Sequence, residues 1–263
     1  MGKILTSLHG QLTGLDVKGN VIAKGFGAGT GNNQRLLGSP TTVEIFDDFL
    51  GDILNANWNV SVGADTLPPT AVVLANGIGG QLRFTTGNDG TGLAADSVQL
   101  TSFLNWQASN GDLVFETRAK LSAITTCWAF LGFTDLSATL EAPIISAGSA
   151  DTITTTATDA VGFMFDTRMA TDTWWLVGVA TDQDATSQNT GFAPVADTFA
   201  TFRIEVSTTG VARFFYNGLQ VGVTMAGALT PGADLTPIIT ASKTSVTASM
   251  TVEIDYVHVS MTR

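Results

Sequence analysis

Glu253, Asp255 and His258 stand in one strand-like run, Glu253-Ile254-Asp255-Tyr256-Val257-His258, and form the densest group of residues able to move a proton. His9 and His258 are the chain's two histidines, so a Ser-His-Asp or Cys-His relay would have to recruit one of them. The sequence has no Gly-x-Ser-x-Gly elbow, no phosphate loop and no pair of Cys/His clusters at zinc spacing. The Gly-rich stretch from Gly25 to Gly31 is not followed by Lys-Ser/Thr, which a phosphate cradle requires. For a hard cation, which takes six to eight oxygens, the best loop candidates are Asp182 and Asp184 in Asp182-Gln183-Asp184-Ala185-Thr186, without EF-hand spacing. Asp89, Asp151, Asp159 and Asp172 are scattered alternatives. Sugar stacking would need exposed aromatics, for which Trp58, Trp106, Trp128, Trp174 and Trp175 are available. Cys127 is the single cysteine and sits in the apolar run Cys127-Trp128-Ala129-Phe130-Leu131, which predicts a buried, inert thiol.

The elements that must position these residues are strands. Charged residues make up 13% of the chain and hydrophobic ones 44%, with 28 Gly among many Thr, Ser and Asn, a composition that suits strands and tight turns. Leu113 to Leu121 alternates apolar and polar residues and predicts a strand with one face buried and Val114, Glu116, Arg118 and Lys120 on the other. Further strands are expected at 43–49, 81–85, 98–100, 127–133, 160–166, 174–180, 201–207, 212–216, 237–241 and 250–261. Asn217-Gly218 between strand-like residues is a type I′ hairpin signal, so 201–222 reads as a three-stranded meander. Adjacent Trp174 and Trp175 must point to opposite faces of their strand, one into the core and the other into sheet packing or a ligand surface.

Phe202-Arg203-Ile204-Glu205-Val206, followed by Gly210, Phe214, Tyr216-Asn217-Gly218 and Val221-Gly222, resembles the meander of laminin-G, pentraxin and concanavalin A-like glucanase domains. Phe46-Asp47-Asp48-Phe49 with Asn57-Trp58 is similar to the opening strand of family 16 glucanase-like domains, and Val252 to Val259 to the closing strand of the superfamily. The resemblance implies an all-β, concanavalin A-like jelly-roll β-sandwich of two antiparallel sheets over residues 41–263, preceded by an extended Gly-rich N-terminal arm, 1–40. It also implies a test for hydrolysis, because retaining glucanases of this kind carry Glu, an apolar residue, Asp, two residues and a second Glu. His258 stands at the last position, where a carboxylic acid about 5–5.5 Å from its partner is needed. No catalytic residue is therefore assigned, and the expectation is a protein that is not an enzyme.

The Gly-rich leader, the Asp47-Asp48-Phe49 segment, the Thr/Ala-rich body and the terminal Asp255-Tyr256-Val257-His258-Val259 also resemble proteins encoded beside capsid genes in tailed bacteriophages. This implies a virion structural protein of the capsid decoration or cement type, placed on the capsid surface. The partners expected are the major capsid protein and neighbouring copies, in a homo-oligomer for which a trimer would suit a local three-fold axis. The alternative is a carbohydrate-binding tail or host-attachment domain that meets surface glycans; a glucanase-like hydrolase is the third reading. Residues 1–40 carry Lys3, Lys18, Lys24 and Arg35 against Asp16, a surplus of three positive charges within a chain of net −11, so the body carries −14. Lys3, Leu5, Leu8, Lys18, Lys24, Phe26 and Arg35 are the expected arm contacts, with a short strand at Asn20 to Ala23. So acidic a body repels phosphate, which argues against nucleic acid. No stretch is apolar enough for a signal peptide or a membrane span, so synthesis in the host cytoplasm and a soluble product are expected. No cofactor is expected, with Ca²⁺ as the one candidate.

Overall fold

A computed structural model describes residues 12–15, 21–23, 42–65, 68–74, 79–88, 93–103, 106–136, 140, 142–148, 151–244 and 248–262. In chain order the strands are β1 (Leu12–Leu15), β2 (Val21–Ala23), β3 (Thr42–Asp47), β4 (Asn59–Val62), β5 (Thr70–Val73), β6 (Leu82–Thr85), β7 (Val98–Thr101), β8 (Leu113–Leu121), β9 (Cys127–Thr134) and β10 (Ile144–Ser146). They continue as β11 (Ile153–Thr155), β12 (Ala160–Asp166), β13 (Trp174–Ala180), β14 (Gln183–Asp184), β15 (Gln188–Asn189), β16 (Ala200–Val206), β17 (Ala212–Tyr216), β18 (Leu219–Met225), β19 (Thr236–Lys243) and β20 (Thr251–Thr262). One helical turn, α1 (Leu93–Asp96), precedes β7.

By contacts the chain divides into a unit of residues 1–43 and a unit of residues 44–263. Within the first, β1 and β2 pair antiparallel, so the strand expected near Ala23 has Leu12–Leu15 as its partner.

The second unit holds two eight-stranded antiparallel sheets and the two-stranded β10–β11 sheet. One runs β14-β13-β12-β9-β19-β7-β4, with β15 also on β13; the other runs β18-β17-β16-β8-β20-β6-β5, with β3 also on β20. Period-two alternation sets what each strand buries: Leu113, Phe115, Thr117, Ala119 and Leu121 are buried on β8 while the residues between them are half-buried. The core between the sheets is aromatic. The Phe163 ring meets Phe202 at 5.2 Å and Phe214 at 5.5 Å edge-on, and Trp174 meets Phe202 at 4.6 Å. Such pairs add about 0.5–1.5 kcal/mol each beyond the area they bury.

The β9, β12 and β13 strands are buried on both faces, save Ala180 at an end. Their second face carries Trp128, Phe130, Met164, Trp175, Val177 and Val179, which pack with Ile144 and the partly buried Ile145 and Ile153. The β10–β11 hairpin therefore lies over the first sheet as a third layer. It is fixed by Trp128 Nε1 donating to Ile144 O at 3.1 Å and by Ser146 N donating to Asp166 Oδ2 at 2.9 Å. Trp175 belongs to this layer and Trp174 to the core, the opposite faces that alternation demands.

At the hairpin joining β17 and β18, Asn217 has φ 50° and Gly218 φ 79°, the positive pair a type I′ turn requires. β20 departs from simple alternation. A register shift between Ile254 and Tyr256 inserts a bulge, so Ile254 and Val257 both point inward while Asp255 and Tyr256 share the outer face.

Candidate functional site

Of the expected proton-moving residues on β20, Glu253 and Asp255 are committed to ion pairs. Glu253 Oε2 meets Lys120 Nζ at 2.7 Å, and its Oε1 accepts from Arg83 Nε at 2.9 Å. Burial pushes the Glu253 carboxyl up, but the hydrogen bonds from Lys120 and Arg83 outweigh burial and hold it below the ordinary glutamate range. A carboxyl held ionised in this way is the opposite of a general acid. Asp255 pairs with Arg118 at 2.7 Å, and His258 Nε2 lies 3.0 Å from Glu44 Oε1. Tyr256 donates to Glu116 Oε1 at 2.7 Å, and Glu116 in turn meets Arg203. The outer face of the second sheet is thus a lattice of paired charges, and the bulge in β20 brings Asp255 and Tyr256 into it together.

The other sequence candidates disperse. Lys3, Leu5, Leu8, Lys18, Lys24, Phe26 and Arg35 lie outside the described residues. Asp182 is exposed on the turn after β13 and Asp184 on β14, and among the described residues no three His, Cys, Asp or Glu side chains gather to hold a metal ion. Cys127 is fully buried, and burial pushes its thiol up to about 12, well away from a reactive thiolate. All five tryptophans are buried, so of the two readings open to them the structure supports core and layer packing over sugar platforms. Asp47, in the motif similar to a glucanase opening strand, accepts from Phe49 N and Trp58 Nε1, both at 2.9 Å, and so ties that segment together.

One exposed aromatic surface lies on the segment between β15 and β16; Phe46 and Phe103 are exposed elsewhere. Phe192 is 45% exposed and stacks on Tyr216, with ring centroids 5.3 Å apart at 25°. Its backbone is clamped to β13: Trp174 N donates to Phe192 O at 2.9 Å, Thr190 Oγ1 donates to Trp174 O at 2.7 Å, and Phe192 N donates to Thr190 Oγ1 at 3.1 Å. Gly191, with φ 75°, makes the turn that lifts the ring. Beside it Asn217 Oδ1 accepts from Thr201 N at 2.9 Å, which leaves the exposed amide nitrogen as a donor. Burial raises the Tyr216 hydroxyl above the ordinary tyrosine value, keeping it neutral and able to donate. The ring, the hydroxyl and the amide therefore stand on hydrogen-bonded backbone, which lowers the ordering cost of binding.

Under this surface opens a pocket of about 180 Å³ between the two sheets, with Tyr216, Asn217, Lys120, Pro194, Val195 and Phe199 around its rim. Arg118 and Lys120 lie 4.3 and 4.9 Å from the Phe199 ring centroid. This site was not legible in the sequence. Phe192 and Phe199 fall in a stretch without periodicity, and Tyr216-Asn217 reads in sequence as part of a turn.

A second grouping missed by sequence is Asp65 and Asp96, both buried, whose carboxylate oxygens close on Gly87 so tightly that a Cβ there would come within 2.6 Å of each.

No protein-family model matches the chain, and no curated protein matches its sequence. Solved structures do match in fold. The chain is similar to a Bacillus licheniformis β-glucanase at 12% identity and TM-score 0.55, over 82% of this chain and 97% of that one. It is similar to a β-1,3-1,4-glucanase (lichenase) derived from a mouse hindgut metagenome at 10% identity and TM-score 0.54, over 82% and 98%. A third likeness is to the carbohydrate recognition domain of Emp47p, at 12% identity and TM-score 0.56, over 86% and 99%. At such identities the likeness carries the fold, and the chain is a concanavalin A-like jelly-roll sandwich. The expectation of a protein that is not an enzyme is thereby corrected, because this architecture is shared with glucanases. The ion pairs on β20 bear on Glu253 and Asp255 alone.

Proposed function

We propose that this jelly roll binds carbohydrate on the surface formed by Phe192, Tyr216 and Asn217. The observation that carries the reading is the half-exposed Phe192 ring, stacked on Tyr216 and held on clamped backbone beside an available amide and hydroxyl. A pyranose presents an apolar C–H face that lies flat on such a ring, and hydroxyls at its edge that pair with amide and phenol groups. The fold shared with a carbohydrate recognition domain and with glucanases supports the same reading. The test is a glycan array followed by calorimetric titration of the best oligosaccharide. Phe192→Ala is expected to weaken binding by about tenfold or more, the size of one lost aromatic contact. An array without any glycan bound, or unchanged affinity in the variant, would refute the proposal.

A second reading sets this domain on a virion. Lys3, Lys18, Lys24 and Arg35 make residues 1–40 basic beside a body of −14, and an arm of that charge suits an acidic shell protein or a neighbouring copy. On this reading a chain lacking residues 1–40 stays folded but no longer sediments with capsid shells; undiminished sedimentation would sink it.

A further inference from the structure

The geometry points to a second ligand below the sugar surface: a small neutral aryl or short acyl group bearing one hydrogen-bond acceptor, held between the two sheets. The pocket there measures about 180 Å³ and is walled by Ala129, Leu131 and Trp174 from the first sheet and Leu121, Ala200 and Phe202 from the second. An apolar cavity of about 150 Å³ stays dry and admits benzene, so this one takes a ring with two or three further atoms. Two wall groups are polar and unanswered. Trp174 is 2% and Thr240 1% exposed, and the indole Nε1 of the one and the Oγ1 of the other are buried without a hydrogen-bond partner. A buried N–H left unpaired is costly, and a carbonyl or ether oxygen entering the pocket would relieve that cost.

Charge sets the ligand class. Lys120 stands at the rim, but Glu253 neutralises it at 2.7 Å, and the chain's net charge is −11, so a free carboxylate would find no spare cation at this rim and a repelling field around it. A neutral ketone, ester or lactone fits both the volume and the donors. The inference goes beyond the sugar surface, and its test contains no sugar.

Acetophenone and cumene have nearly the same shape and differ in the carbonyl oxygen, which makes them suitable probes for the full chain. Acetophenone is expected to raise Tm by about 3–6 °C at ten times its dissociation constant. It should bind about tenfold more tightly than cumene. Trp174→Phe combined with Thr240→Val removes both donors and should abolish that preference. Ala200→Leu fills the pocket from its wall and should cost both probes their binding, which keeps the inference testable if the double variant does not fold. Absence of any acetophenone binding, equal affinity for the two probes in the unaltered chain, or undiminished binding by Ala200→Leu would overturn the assignment.

Discussion

Replacing Glu253 by Gln keeps the shape of the side chain and removes the charge that Lys120 and Arg83 share. Both oxygens of Glu253 are engaged, at 2.7 Å with Lys120 and 2.9 Å with Arg83 Nε, and the carboxylate side chain is 10% exposed. The cations are wetter, with Arg83 40% and Lys120 21% exposed, so each can turn to solvent once the charge has gone. The cost therefore falls between that of an exposed pair, under about 1 kcal/mol, and that of a buried one, about 3–5 kcal/mol. A loss of about 1–2 kcal/mol is expected, which for a chain of this size lowers Tm by about 2–8 °C at pH 7. Because the folded carboxyl titrates below its ordinary value, its stabilisation is full above an unfolded pKa of about 4.3 and disappears as pH falls through the lower folded value. The difference in Tm between the two proteins should thus shrink progressively as pH falls below about 4.3. Scanning calorimetry across pH 3–7 measures this. Equal Tm at pH 7, or a gap that persists undiminished in acid, would refute the ion-pair reading. Turnover of β-glucan by the unaltered chain, lost in the variant, would make Glu253 a reacting carboxylate.

Three further outcomes are expected. Gly162→Ala should cost about 3 kcal/mol, since its Cβ would sit 2.5 Å from the Phe130 ring and 2.7 Å from Leu131 O; a chemical denaturation curve unchanged at its midpoint would contradict the third-layer packing. Cys127 titrates in the folded state near 12 against an ordinary value of 9.0, so stability should be intact below pH 9 and lost as pH rises, by up to about 4 kcal/mol near pH 12. Cys127→Ala should flatten that alkaline limb, and an unchanged limb would show the thiol is not its source. Gly218→Val forces a β-branched residue to φ 79° and should cost about 1–2 kcal/mol through strain alone, because nothing lies within 4 Å of its Cβ; an unaltered melting temperature would argue against the type I′ turn.

Long alternating strands were legible in sequence because one wet face and one dry face leave a period-two trace, and β8, β16 and β17 stand where Leu113–Leu121, Phe202–Val206 and Ala212–Tyr216 foretold. The strands β4, β5, β10 and β11, three or four residues long, were not legible, although β6 and β7, no longer than these, were. The third layer escaped for a physical reason. A strand buried on both faces, such as Cys127–Thr134, reads as a continuous apolar run and does not say what will cover its second side. The bulge at Asp255 was illegible because it satisfies two charges, Asp255 with Arg118 and Tyr256 with Glu116, that are adjacent only once the sheet is formed. Tryptophan type alone left packing and sugar platforms both open, and burial decides for packing at all five. The surface that remains rests on Phe192, whose exposure follows from hydrogen bonds of Gly191 and Thr190 that no sequence pattern announces.

Saturation-transfer NMR with a glycan selected on the array reads directly whether a sugar ring lies on Phe192. Transfer confined to the C–H protons of one pyranose face, and lost in Phe192→Ala while the variant keeps its Tm, is the result expected here. Transfer that persists undiminished in Phe192→Ala would place the sugar elsewhere on the sandwich and contradict the proposed surface.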